Sequence, residues 1–119
     1  MTSSQKTIEL AHGAVHYWEY NPDKQQIVVM IHGFRGTHHG LAKIAENLPD
    51  FHLIVPDLPG FGASLPLTDE HSVDNYVQFV ADFMTALDLQ QPIVVGHSFG
   101  SIVASHFAAA HPEIIEKLI

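Results

Sequence analysis

The stretch that most constrains the fold is the pentapeptide Gly-His-Ser-Phe-Gly at 96–100. It directly follows the apolar run 92–95 and directly precedes a run of small and apolar residues, 101–110. These flanks predict a buried strand, a tight turn and a helix, in that order. Such a turn raises the Ser98 hydroxyl above the edge of a sheet, and Gly96 and Gly100 lack the Cβ atoms that would collide there. An ordinary glycine-flanked turn with a surface serine fits the five residues alone, but the flanks favour a nucleophile elbow.

Strand and helix patterns alternate along the rest of the chain. The polar–apolar alternation of 7–10 and 14–20, with a turn at His12-Gly13, predicts an antiparallel hairpin. Three short runs that are apolar throughout suit strands buried on both faces of a parallel sheet: 27–31, 53–55 and 93–95. Helical stripes lie between them at 41–48 and 73–87, and Ser72 or Asp74 is suited to cap the second. The order predicts an α/β fold, a doubly wound, mostly parallel sheet with an antiparallel N-terminal hairpin.

The last part of the chain suggests that the fold continues. The helix after Ser98 is apolar nearly all round, so we expect it to be buried. It should end near His111, because Pro112 disfavours helical backbone in the residue before it. Residues 117–119 then look like the start of another strand. We interpret residues 1–119 as the N-terminal portion of a single domain, truncated after this helix, with an apolar sheet edge open to self-association.

Two further motifs follow predicted strands directly. His32-Gly33-Phe34-Arg35-Gly36 comes after 27–31, and the DLPGFGAS segment 57–64 comes after 53–56. With the pentapeptide 96–100, these motifs resemble the α/β-hydrolase family, in the family's own order and over residues 8–119. The resemblance is to its serine hydrolase branch, because the dehalogenase and epoxide hydrolase branches carry an aspartate where this chain has Ser98. It implies an α/β-hydrolase fold, truncated after the nucleophile helix.

The resemblance also implies roles for individual residues. Ser98 corresponds to the acyl-accepting nucleophile, and the backbone N–H groups of Phe99 and Phe34 correspond to the oxyanion hole. Gly33, Gly96 and Gly100 are the motif glycines. The family's acid and histidine follow the serine in chain order, and their loops would lie past Ile119, so this chain alone is expected to be inactive. The implied substrate is an ester or the carbon–carbon bond of a β-diketone-like compound. The alternative is a non-catalytic hydrolase-fold module that binds a small molecule or a partner.

Other polar residues are given structural interpretations. Asp57 precedes the serine, whereas the family's acid follows it, so Asp57 is expected to shape its loop. His97 is expected to pack or form hydrogen bonds beneath the site. Arg35 and the pair His38-His39 either contact substrate or are solvated loop residues. The ten histidines show no spacing typical of a metal site, so no metal and no cofactor are expected.

Composition restricts the partners. The formal net charge is −8 with five Lys plus Arg, which argues against nucleic acid and anionic membrane surfaces. The absence of cysteine excludes disulfides and thiolate metal sites. The first seven residues are polar, no secretory signal is visible, and no apolar run is long enough to span a bilayer. A cytoplasmic protein acting on a small-molecule substrate is therefore expected.

Overall fold

The computed structural model describes residues 3–33, 39–62, 64–67 and 70–119. Within them the elements, in chain order, are β1 Ser3–Leu10, β2 Gly13–Tyr20, β3 Ile27–Ile31, α1 His39–Glu46, β4 His52–Pro56, α2 Val73–Ala86, β5 Ile93–Gly96, α3 Phe99–Ala110 and β6 Lys117–Leu118. The strands form one sheet in the order β1-β2-β4-β3-β5-β6. The predicted fold class is confirmed: β1, β2 and β4 pair antiparallel, whereas β4, β3, β5 and β6 pair parallel.

The central strands are buried on both faces, as their continuous apolar runs predict. On β3, Val29 and Ile31 face the helices α2 and α3, while Val28 and Met30 face α1. This arrangement explains why these strands show no polar–apolar alternation. The hairpin strand β2 does alternate, with Tyr17 on the side of α2.

The helices follow the predicted positions, with two differences in burial. The Ser72 hydroxyl accepts a hydrogen bond from the Asn75 N–H at 3.1 Å, so of the two predicted candidates Ser72 caps α2 and Asp74 does not. Helix α3 is not buried all round. It buries one stripe against the sheet and α2, and Ile102 on its outer side is 48% exposed. Ile44, which lies within the predicted apolar stripe 41–48, is 47% exposed, because α1 covers the sheet mainly through Leu41 and Ala45.

Strand β6 forms one edge of the sheet. It pairs with β5 through Lys117 and Leu118, and the Ile119 N–H continues the ladder to the Val94 carbonyl at 2.8 Å. Leu118 is 40% exposed and Ile119 is 68% exposed. The start of a strand at Lys117 is therefore as predicted. In the described part of the chain, no helix combines the length and apolar character needed to cross a membrane.

Candidate active site

Ser98 lies in the sharp turn between β5 and α3, at the carboxyl edge of the parallel strands. Its backbone has φ 57° and ψ −123°. A positive φ is uncommon for a residue with a side chain, and sparsely populated backbone conformations of this kind cost about 1–3 kcal/mol. Although Ser98 is the N-cap residue of α3, its side chain forms no capping hydrogen bond, and the residue is exposed. The strained turn therefore presents an accessible hydroxyl at the N-terminus of a helix.

The two glycines of the pentapeptide allow this turn. A Cβ at Gly96 would lie 2.5 Å from the Gly100 carbonyl oxygen and 2.6 Å from Ser101 Cα. A Cβ at Gly100 would overlap the carbonyl oxygen of Ile31, the last residue of β3. Real Cβ atoms essentially never approach other heavy atoms so closely. The crowding inferred from the glycine spacing is therefore present on both sides of Ser98.

Gly33 brings the segment after β3 against the elbow. A Cβ at Gly33 would lie 2.9 Å from Ser98 Cβ and 3.3 Å from the Phe99 backbone nitrogen. The positive end of the α3 helix dipole favours an anion at this point. Phe34, predicted to supply the second oxyanion donor, lies outside the described residues, as do Arg35 and His38.

His32 joins the segment after β3 to the loop after β4. Its ring is buried, and the Leu58 N–H donates to Nε2 at 2.9 Å. Because Nε2 accepts, the ring hydrogen is on Nδ1, which donates to the Gly33 carbonyl oxygen at 2.8 Å. From the sequence alone, His32 is only the first residue of the motif 32–36. Its position at a strand end, immediately before a glycine, indicates that it lies near the site, but nothing in the sequence indicates that its ring reaches Leu58.

The loop after β4 is built around Asp57. The side chain is buried, and a Cβ at Gly62 would collide with its carboxylate. The Asp57 N–H donates to the His16 carbonyl oxygen at 2.9 Å, and the Ser64 hydroxyl accepts from the His16 N–H at 3.0 Å. Asp57 thus lies within its own loop and against β2, as its structural interpretation expects.

His97 does not match its interpretation. It is exposed, so the prediction that it packs beneath the site is wrong. The reason is the geometry of the turn, because only the backbone of His97 is held inward, by its N–H donating to the Ile31 carbonyl oxygen at 3.0 Å. Within the described ranges, no group of three or more His, Asp or Glu side chains could hold a metal ion.

Comparison with known proteins places these features in a family. A sequence profile for a family described as the alpha/beta hydrolase fold matches residues 26–119. Lipase 3 of Moraxella sp. (strain TA144) is 34% identical over 116 residues, covering 95% of this chain and 37% of the lipase. The pimeloyl-[acyl-carrier protein] methyl ester esterase of Chromobacterium violaceum is 41% identical over 95 residues, covering 76% of this chain and 34% of the esterase.

The fold comparison agrees. The Lip1 protein of Acinetobacter baumannii AYE superposes with a TM-score of 0.92 at 27% identity, covering 98% of this chain and 40% of that protein. The chain therefore spans less than half the length of the proteins it matches: 37% and 34% of the two curated relatives and 40% of the solved structure.

Proposed function

The chain belongs to the alpha/beta hydrolase fold family, and on that premise we propose that it carries the nucleophile of a serine hydrolase that acts on esters. The observation that carries the proposal is Ser98 itself. The residue is exposed, its side chain takes no part in helix capping, and it stands at the start of α3 on a backbone with φ 57°. The names of the two curated relatives, a lipase and a methyl ester esterase, support an ester substrate.

The proposed reaction uses few groups of this chain. The Ser98 oxygen attacks the carbonyl carbon of the ester, and the carbonyl oxygen becomes an oxyanion that accepts hydrogen bonds from the Phe99 and Phe34 N–H groups. The alcohol leaves with the proton that the serine hydroxyl has lost, and water then hydrolyses the acyl-serine, which releases the carboxylic acid and restores the hydroxyl. A serine needs an adjacent base and a group that orients it. In the described part of the chain the Ser98 hydroxyl has no histidine partner.

We therefore propose that residues 1–119 are the N-terminal portion of one hydrolase domain. The histidine and acid would come from sequence after Ile119, in the family's order of serine, acid and histidine. A β-diketone-like substrate, cleaved at a carbon–carbon bond, is the second substrate class that this arrangement suits. No cofactor is needed for either reaction, and the cytoplasm stays the predicted compartment.

A fluorophosphonate probe tests the proposal directly. The probe is added to this chain and, where the reading frame continues past Ile119, to the longer polypeptide. Peptide mass spectrometry then locates the adduct. Stoichiometric modification of Ser98 supports the hydrolase proposal. If the longer polypeptide folds and remains unmodified, the non-catalytic binding module is the better interpretation.

Gly33→Ala is expected to slow the reaction. The added methyl would lie 2.9 Å from Ser98 Cβ and 3.3 Å from the Phe99 nitrogen, where the oxyanion is proposed to bind. Loss of one oxyanion-hole donor typically lowers kcat by about 10²–10³-fold, and we expect a loss of this order. The measurements are the rate of labelling by the probe and the urea midpoint of unfolding. A folded variant that reacts at the wild-type rate would show that the oxyanion lies elsewhere.

We further propose that this chain by itself associates through β6, because Leu118 and Ile119 leave an apolar, unpaired edge. Size-exclusion chromatography with light scattering should give a mass above the 13.1 kDa of one chain. The double substitution Leu118→Lys and Ile119→Lys should restore the monomer, because charge at an edge opposes strand pairing. Ile44→Lys, which changes a similarly exposed residue on α1, should not. A wild-type monomer that unfolds cooperatively would contradict the proposal.

A further inference from the structure

We propose that Tyr76 is a positioning residue for the oxyanion hole, because its side chain holds the loop after β4 and the first residue of α3 in a fixed relation. The inference rests on the proposed function, which gives the Phe99 N–H its role. Tyr76 lies on α2, outside the three motifs that identify the family, and is 1% exposed. Three sets of contacts carry the argument.

The hydroxyl of Tyr76 forms two hydrogen bonds, one as a donor and one as an acceptor. It donates to the Pro59 carbonyl oxygen at 2.9 Å, since a carbonyl can only accept. The same oxygen is 2.7 Å from His71 Nδ1 and accepts its hydrogen. Burial raises the pKa of the Tyr76 hydroxyl, so the group stays a neutral donor throughout the neutral range. The hydroxyl therefore fixes the backbone of the loop after β4 at Pro59.

His71 holds the same loop from the outside. A Cβ at Gly60, whose φ is +85°, would lie 2.9 Å from the His71 ring carbon Cε1. The rings of His71 and Tyr76 meet edge to face at 5.5 Å between centroids. Pro59 and Gly60 are thus held between the tyrosine hydroxyl and the imidazole ring.

The ring of Tyr76 also contacts the elbow. It packs edge to face against the Phe99 ring, with 5.7 Å between centroids and an interplanar angle of 79°. Aromatic pairs in this geometry are worth about 0.5–1.5 kcal/mol beyond the area that they bury. Phe99 is the first residue of α3, and its N–H is the proposed oxyanion donor. A fixed Phe99 side chain restricts how the first turn of α3 can tilt.

Together these contacts form a closed path that passes beside Ser98. From Tyr76 the path runs through Pro59 to the neighbouring Leu58, whose N–H binds His32. His32 binds the Gly33 carbonyl, and Gly33 lies against Ser98 and Phe99. Phe99 returns to Tyr76 through the ring contact. A packing role alone would need only the aromatic ring, so the hydroxyl is the part of Tyr76 that distinguishes positioning from packing.

Tyr76→Phe tests the inference, because it removes the hydroxyl and keeps the ring. In the polypeptide that hydrolyses esters, we expect kcat to fall by about tenfold with KM unchanged, since small misplacements of catalytic groups lower rates strongly. His71→Ala should lower kcat by a smaller factor. Because His71 is exposed, this second variant tests the same contacts if Tyr76→Phe fails to fold. Tyr20→Phe, at a buried tyrosine on the opposite face of the sheet, should leave kcat unchanged.

A second measurement does not depend on activity. In amide NMR spectra of this chain, Tyr76→Phe should shift the Gly33 and Phe99 resonances, whereas Tyr20→Phe should not. These shifts are expected even if the probe never labels Ser98, so failure of the proposed function can be told from failure of this inference. The inference is overturned if the folded Tyr76→Phe protein leaves both resonances unchanged, or if it retains wild-type kcat in an active polypeptide.

Discussion

Ser98→Ala is expected to lower kcat for ester hydrolysis by about 10⁶-fold in the polypeptide that carries the base, the size of effect seen when a triad nucleophile is removed. Without the hydroxyl no acyl-enzyme forms, and only binding and the oxyanion donors still act on the substrate. The measurement is hydrolysis of a chromogenic ester, with fluorophosphonate labelling in parallel. Labelling should disappear in the same variant.

The structure also predicts what Ser98→Ala leaves unchanged. Because the Ser98 side chain forms no capping hydrogen bond with α3, its removal should shift the urea midpoint little. The loss of activity can then be assigned to chemistry and not to folding. Ser105→Ala is the matched control, since Ser105 is an exposed serine on the same helix whose hydroxyl binds the Ser101 carbonyl. Hydrolysis by Ser98→Ala at more than about a hundredth of the wild-type rate would contradict the nucleophile assignment, because loss of a triad nucleophile costs far more.

The strands and the turn that form the site could be predicted from the sequence, because the residues that indicate each of them are close together along the chain. The apolar runs identify β3, β4 and β5. The segments that follow parallel strands lie at the same edge of the sheet. Ser98 and Gly33 therefore lie together, as the motif order implies. Gly96 and Gly100 were predictable for the same reason, since the crowding that they relieve arises within and beside one short turn.

The network behind the site was not predictable, because it is made by residues distant in sequence. In the sequence, Tyr76 is one more position in the apolar stripe of α2. No residue near it in the sequence indicates that its hydroxyl reaches Pro59. Likewise, the His32 ring accepts the hydrogen bond from the Leu58 N–H only because β3 pairs with β4. The burial of α3 was overestimated because helix composition does not reveal how many neighbours surround a helix. Ile102 is apolar and still 48% exposed.

Gly100→Ala is expected to destabilise the fold by about 3 kcal/mol, at the upper end of typical overpacking effects. The added Cβ would overlap the Ile31 carbonyl oxygen and would lie 2.6 Å from the His32 carbonyl oxygen. Both are backbone atoms at the end of β3, which is paired on both sides, with β4 and with β5. Neither can move aside without disturbing the ladder beneath the elbow. The measurement is the free energy of unfolding from urea denaturation.

Gly40→Ala provides a control in which the same methyl is added at the equivalent point of another helix. Gly40 and Gly100 are the second residues of α1 and α3, but among the described residues a Cβ at Gly40 would meet nothing within 4 Å. Alanine in a helix is favoured over glycine by about 0.5–1 kcal/mol, so Gly40→Ala should stabilise the chain slightly. If the free energy of unfolding falls in Gly100→Ala and rises in Gly40→Ala, the loss at Gly100 comes from the contact between α3 and β3 and not from helix propensity. If Gly100→Ala instead stabilised the fold as Gly40→Ala does, α3 could not start as close to β3 as the elbow requires, and the exposed position of Ser98 would need another explanation.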